Sequence, residues 1–375
     1  MPFLRNITRG FSLRRMNWAL LCSAVLLALI GAMFITSAHS LPYAKRHLQF
    51  LVVGVCAFIA LAAFDYRHMA NLSVLLYAGG LLSLALLPLF GVTINNATSW
   101  YRFGSLNVQP SEPIKYIMLI VLATYFTHRA RLDRMWDLFI PIILMTPPLM
   151  LIIRQPDLGT AMIFIPGFFA LAYLAGAPLK NLLVLVLAGV MLLVGAWFTP
   201  GALKDHQKQR LLSFAHPERN PRSSASYNTR QATLAVTGGG LFGQGWGRGR
   251  LTRLRRLPES YADFIFAVIA EEWGLARTAA LVGFFMLLLV LIAQVAWSSN
   301  DAFGRLLAGG ILATFGFQML LHMAVSVRLA PITGVTLPLV SYGGSSLVST
   351  LAGLGLVASI QMRREHEFVG TLPTR

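Results

Sequence analysis

Ten stretches of this 375-residue chain are apolar over a length able to cross a bilayer: residues 17–38, 47–64, 71–91, 112–128, 136–153, 159–177, 180–199, 276–297, 303–327 and 340–362. A hydrocarbon core about 30 Å thick needs a helix of about 20 residues, because every backbone N–H and C=O must find a partner within the segment. The pattern therefore predicts an all-α integral membrane protein, a polytopic bundle of about ten transmembrane helices forming one domain over residues 1–375. Pro147 and Pro148 in the fifth run and Pro166 in the sixth predict kinks there, since proline removes a helical hydrogen bond and crowds the preceding turn. An even count of spans places both termini on one side. The apolar rhythm stops once, over residues 200–262, and this polar stretch reads as one large loop between the seventh and eighth helices.

Composition agrees with the pattern: 56% of residues are hydrophobic and 12% charged, with a mean hydropathy of +0.65, far from a soluble balance. In the short loops and ends the basic residues Arg5, Arg9, Arg14, Arg15, Arg67, Arg129, Arg131, Arg134, Arg363 and Arg364 all fall on one side, which identifies that side as cytoplasmic. No small-residue cleavage site precedes the second span, so the first run is expected to be a retained helix and not a signal peptide. Cys22 and Cys56 lie singly inside spans and offer neither disulfide framework nor metal-ligand spacing.

The loop at 200–262 carries Lys204, Lys208, Arg210, Arg219, Arg222, Arg230, Arg248, Arg250, Arg253, Arg255 and Arg256 against Asp205, Glu218 and Glu259, a net +8 of the chain's +17. Long loops escape the positive-inside rule, so this charge is compatible with an external position. It calls for an anionic partner. The basic residues are not interleaved with stacking aromatics, which argues against nucleic acid and for a phosphate-bearing lipid or headgroup; generic adhesion to anionic lipid is the plainer alternative. Gly238-Gly-Gly-Leu-Phe-Gly-Gln-Gly-Trp-Gly-Arg-Gly-Arg250 could bring backbone N–H groups close to phosphate, although no strand precedes it and such runs are more often hinges.

Asp263 stands where this wet, positive stretch meets an apolar helix. A carboxylate at the lip of a low-dielectric region is partly desolvated and suits general-base work; the bland reading is an interfacial anchor. Before the fourth span, Ser111 can cap the helix, while Glu112 and Lys115 fall three apart on one face. A surface ion pair would account for them, yet ionisable residues at the mouth of a span are by default functional candidates. Asp157, in the turn 154–160, has the same ambiguity between cap and site. Glu271 and Glu272, eight and nine residues beyond Asp263, would lie roughly 12–14 Å further along a continuous helix, too far for a glycosidase-like carboxylate pair. Small residues in 331–346 permit close packing before the last helix.

Five strings in order, Gln109-Pro-Ser-Glu112 with Lys115, Gln155-Pro-Asp-Leu-Gly-Thr160, Leu257-Pro-Glu259, Asp263-Phe-Ile-Phe266 and Ser341-Tyr-Gly-Gly-Ser345, resemble the SEDS family of bacterial cell-wall proteins (RodA, FtsW, SpoVE) over nearly the whole chain. Phe303-Gly-Arg-Leu-Leu-Ala-Gly-Gly310, His216-Pro-Glu-Arg219 and residues 352–360 look more like the elongation member than the division member. The resemblance implies a peptidoglycan glycosyltransferase of the bacterial cytoplasmic membrane that polymerises lipid II beside a class B penicillin-binding protein. It implies Asp263 as the external catalytic aspartate, with Glu112, Lys115, Asp157 and Arg210 as substrate-binding candidates. A divalent cation such as magnesium could share the stabilisation of the leaving pyrophosphate, but no ligand set in the sequence demands one.

The chain departs from the family at Tyr261-Ala262, where His-Thr is usual, at His322, where an Asn is usual, and at Ser223-Ser-Ala-Ser-Tyr227, where Gly is common. Rival readings are a flippase that moves lipid II without making bonds, a non-catalytic scaffold for a penicillin-binding protein, and a division or sporulation paralogue. Asp263→Asn separates polymerase from flippase.

Overall fold

A computed structural model describes residues 16–94, 97–104, 106–129, 132–199, 208, 212, 214, 224–257 and 259–369. Ten long helices occupy the ten apolar runs: α1 (Trp18–Ala38), α2 (Leu41–Ala63), α3 (Arg67–Ala85), α4 (Ser111–Thr127), α5 (Phe139–Arg154), α6 (Leu158–Leu174), α7 (Leu179–Phe198), α8 (Ile265–Ser298), α9 (Ala302–Ser326) and α10 (Gly344–Val369). Eight helices among the described residues are long and apolar enough to cross a membrane; α4 and α6, at 17 residues each, are shorter. The chain is a multi-pass membrane protein.

Lipid is as apolar as leucine, so these helices are held by packing and polar contacts and not by transfer out of water. Small residues let α10 lie directly on α2: a Cβ on Gly355 would come within 2.5 Å of the Phe58 carbonyl oxygen, and one on Gly344 within 2.4 Å of the Phe50 ring. By contrast α7 buries only Asn181 and Leu182 and leaves Leu187, Met191, Leu192 and Phe198 exposed for lipid. Contacts between connections sort the loops onto two ends. At one end Arg363 Nε lies 3.5 Å from Asp65, the Tyr66 hydroxyl donates to Asp301, and Asn17 Nδ2 donates to Gln361 at 2.6 Å. The Arg363 guanidinium also donates to the Ala62 and Ala63 carbonyls, capping the orphan end of α2. The opposite end gathers the described residues among 86–110, 155–157, 239–264 and 327–343, tied by Ser99 to Gln155, by Gln109 to Ser345 and by Ser341 to Ala262.

That end holds a small three-stranded antiparallel sheet that the apolar pattern did not foretell: β1 (Val92–Ile94), β2 (Ala97–Phe103) and β3 (Leu106–Val108), in the order β1-β2-β3. Val92 pairs with Trp100 and Tyr101 with Val108. Ser99 fastens the sheet to the Gln155 carbonyl at 3.2 Å, and the Tyr101 hydroxyl to Ser83 O at 2.7 Å.

The eighth helix starts at Ile265, well before the expected residue 276, and breaks at Gly274, whose φ of 74° and ψ of 177° are open only to glycine. The break strands backbone groups on both sides, and the glycine-rich segment satisfies them. Gln244 and Gly245 donate to the Glu271 and Glu272 carbonyls at 3.0 Å each, while Leu275 and Ala276 donate to Gly240 and Leu241 at 2.9 and 3.1 Å. The approach is so close that a Cβ on Gly274 would sit 2.2 Å from Gly243 N. Two of the run's amides are thus spent on α8 carbonyls, and the run works as a splint across the break. Glu271, wholly buried, accepts from Leu251 N at 2.7 Å and from Thr252 N and Oγ1 at 3.2 and 2.7 Å. Glu272 accepts from the Ser37 hydroxyl.

Candidate active site

Residues 327–343, between α9 and α10, form no helix or strand, yet Val335, Leu337, Leu339, Val340 and Ser341 are buried. Such backbone persists away from water only when its polar groups are met by protein. His322 Nδ1 bonds to the Val335 carbonyl at 2.8 Å, and Gln318 Nε2 donates to the Thr336 carbonyl at 3.0 Å. Ser341 Oγ accepts from Leu337 N at 2.8 Å and donates to Ala262 O at 2.6 Å, and Tyr342 N donates to Tyr261 O at 3.0 Å. These last two bonds tie the segment to the turn that carries Asp263.

Asp263 immediately precedes α8, with its N–H donating to Glu259 O at 2.9 Å, and its side chain is half-buried. Its Oδ2 faces Gly334, where an added Cβ would come within 3.9 Å of it. Gly334 has φ 73°, so the residue opposite the carboxylate is a glycine by conformational need and not for lack of space. Beside it His39, Tyr43, Tyr261 and Tyr342 pack edge to face and tilted, their ring centroids 4.1 to 5.7 Å apart. Burial, and then the charge of Glu259, raise the Tyr261 phenol above its ordinary range, so it stays neutral.

Glu112 and Lys115 make a buried pair and not a surface one: Nζ to Oε2 is 2.7 Å, with the lysine side chain 1% exposed. The helix begins at Ser111 with Pro110 at the N-cap and no side-chain cap bond. The expected Ser111 cap is therefore absent, because the helix starts one residue early for it. Lys115 Nζ also donates to Gln318 Oε1 at 3.0 Å. Since lysine only donates and a carbonyl only accepts, the Gln318 amide has one orientation, and it joins the ion pair to Thr336.

Asp157 caps α6 through Thr160 N at 3.0 Å and accepts from Gln109 Nε2 at 2.8 Å; Gln109 N in turn donates to Ser345 Oγ at 2.9 Å. Burial pushes the Asp157 carboxyl above the usual carboxylate range, against the Thr160 hydrogen bonds that hold it down, and nearby Glu112 adds to the rise. Two residues on, a Cβ on Gly159 would lie 2.3 Å from Thr333 O. The 331–346 segment is thus the hub at which Asp263, the Glu112–Lys115 pair and Asp157 converge.

Arg210 lies outside the described residues, as do most of 200–223, including the string at 216–219. Of the loop's described arginines, Arg230, Arg248, Arg250, Arg253, Arg255 and Arg256 are exposed. Among the described residues no three His, Cys, Asp or Glu side chains gather as a metal site. The sequence reading missed Gln318, Thr336 and Ser346, the last bonded to Thr336 Oγ1 at 3.0 Å. The available signal was Gln318 and His322 one turn apart in an otherwise apolar helix.

The chain is 31% identical to the peptidoglycan glycosyltransferase MrdB of Escherichia coli K12 over 91% of this chain and 92% of that protein. It matches a chain of a solved peptidoglycan synthase complex, described as coordinating polymerization and crosslinking, with a TM-score of 0.82 and 32% identity over 93% of this chain and 98% of that one. The rod shape determining protein RodA of Thermus thermophilus superposes with a TM-score of 0.70 at 30% identity, over 93% of this chain and 97% of that one. The family model for FtsW, RodA and SpoVE, described as cell cycle proteins, matches residues 13–366, and the chain belongs to that family.

Proposed function

We propose that this protein is a peptidoglycan glycosyltransferase that polymerises lipid II during cell elongation, with Asp263 as general base. The observation that carries the reading is the placement of a half-buried carboxylate at the start of a membrane helix, facing a glycine of a buried non-helical segment. In the reaction Asp263 accepts the proton of the acceptor's GlcNAc 4-hydroxyl, the oxygen attacks the anomeric carbon of the donor, and undecaprenyl pyrophosphate leaves with inversion. A positioned base contributes about 10²- to 10⁴-fold. Negative charge grows on the departing diphosphate and must be met by cations fixed beforehand. Lys115 is engaged with Glu112 and Gln318, so the exposed arginines of the basic segment and Arg210 are the candidates for that work, with Glu112, Lys115 and Asp157 shaping the substrate site.

The arginine bias of the short loops supports a bacterial cytoplasmic-membrane orientation with Asp263 outside and both termini inside. The similarity to a chain of a complex that joins polymerization to crosslinking supports a class B penicillin-binding protein as partner. The test is purified chain incubated with labelled lipid II, with and without that partner. Glycan product that disappears in Asp263→Asn supports the polymerase. Product in neither condition, with lipid II still translocated by Asp263→Asn, would establish the flippase instead.

A further inference from the structure

Gln318 and His322 stand four residues apart on the same face of α9, both buried, and take two consecutive carbonyls of the segment opposite. His322 Nδ1 lies 2.8 Å from Val335 O, and Gln318 Nε2 lies 3.0 Å from Thr336 O. A carbonyl oxygen only accepts, so the His322 ring carries its proton on Nδ1. Its Nε2 is buried without a hydrogen-bond partner among the described residues, so the ring is placed for this one bond. Immediately before the clamped pair comes Gly334, the residue that faces Asp263 Oδ2. Apart from these two prongs the segment is fixed by Thr336 Oγ1 on Ser346 Oγ and, further on, by Leu337 N on Ser341 Oγ, and neither of those bonds holds the carbonyls of Val335 and Thr336. The Lys115 ammonium reaches the same place through the other end of the Gln318 amide.

We propose that His322 and Gln318 are positioning residues, a two-pronged clamp that fixes residues 334–336 and thereby sets the wall against which the Asp263 carboxylate is aimed. The inference rests on Asp263 being the base. Neither side chain touches the reacting atoms; each acts through backbone. A displacement of the order of 1 Å at a catalytic group costs about 100-fold in rate, so loss of a prong should lower kcat and leave KM nearly unchanged.

The discriminating pair of variants is His322→Asn and His322→Leu. Asparagine Nδ2 is separated from Cα by the same number of bonds as histidine Nδ1 and can donate to Val335 O, whereas leucine has similar bulk and no donor. The full chain with its crosslinking partner is assayed on labelled lipid II, and amide exchange of residues 333–337 is followed in parallel. The expected result is that His322→Asn retains kcat within about threefold, while His322→Leu loses about 10- to 100-fold in kcat with little change in KM. Exchange at 333–337 should become about five- to tenfold faster in the leucine variant alone, as for one lost hydrogen bond. Unchanged exchange in His322→Leu overturns the clamp whatever the rate does. Faster exchange with an unchanged kcat, in a protein that Asp263→Asn inactivates, overturns its link to Asp263. Full activity in Asp263→Asn removes the base reading and the positioning role with it, and exchange then decides the clamp by itself.

Discussion

Lys115 and Glu112 face each other at 2.7 Å inside the bundle, the lysine 1% exposed and the glutamate 8%. A pair this deep is held by geometry: each charge is tolerable only because the other is there. Removing one partner is therefore far worse than removing both. Lys115→Met should lower stability by about 3–5 kcal/mol, and Glu112→Gln/Lys115→Met should recover most of it. Thermal unfolding in detergent reads both, and a double variant no better than the single would show that the cost is packing and not stranded charge.

Asp263→Asn keeps the shape of the carboxylate and removes its basicity. The polymerisation rate should fall by about 10²- to 10⁴-fold, while lipid II binding measured by fluorescence titration stays within a few fold.

Gly274→Ala places a Cβ 2.2 Å from Gly243 N and forces alanine into a backbone region costing about 1–3 kcal/mol even without the collision. We expect a clear drop in melting temperature and faster amide exchange at 240–245. Gly283, in the same helix with open space around it, is the control; Gly283→Ala should be neutral or stabilising by up to about 1 kcal/mol.

The raised Asp157 carboxyl gives a pH signature of definite sign. A folded-state value above the unfolded one means that the protonated acid is preferred in the fold, so its stabilising contribution is present at low pH and lost as pH rises through the folded value. Asp157→Asn keeps a capping oxygen for Thr160 and removes the titration. The wild type should lose stability relative to this variant as pH climbs above the ordinary carboxylate value of about 4, and parallel melting curves above that pH would refute the assignment.

Apolar runs alone located the ten long helices of the bundle, because a membrane span must be apolar along its whole length; the polar helix Ser224–Gly238, inside the stretch read as a loop, escaped for the same reason. The start of α8 was misplaced for the converse reason: Glu271 and Glu272 interrupt the run, and their acceptability depends on Leu251, Thr252 and Ser37, partners distant in sequence. The sheet escaped because its outer strands are three residues long, too short to show alternation. Asp263 was legible as a charge at a boundary, and Glu112 with Lys115 by their spacing. What joins them was not, since Gln318 is uncharged and its meaning comes from Thr336, eighteen residues on.

The splint across Gly274 has a mechanical consequence. A continuous helix transmits bending along its length, but α8 is a short rod and a long one whose joint is bridged by four hydrogen bonds with the glycine-rich segment, two donated by each side. The angle between the rods is therefore set by a strap anchored among exposed arginines, at the end of the bundle that bears Asp263. Loss of those four bonds would leave the membrane-embedded rod free to change its tilt relative to the first turns after the aspartate.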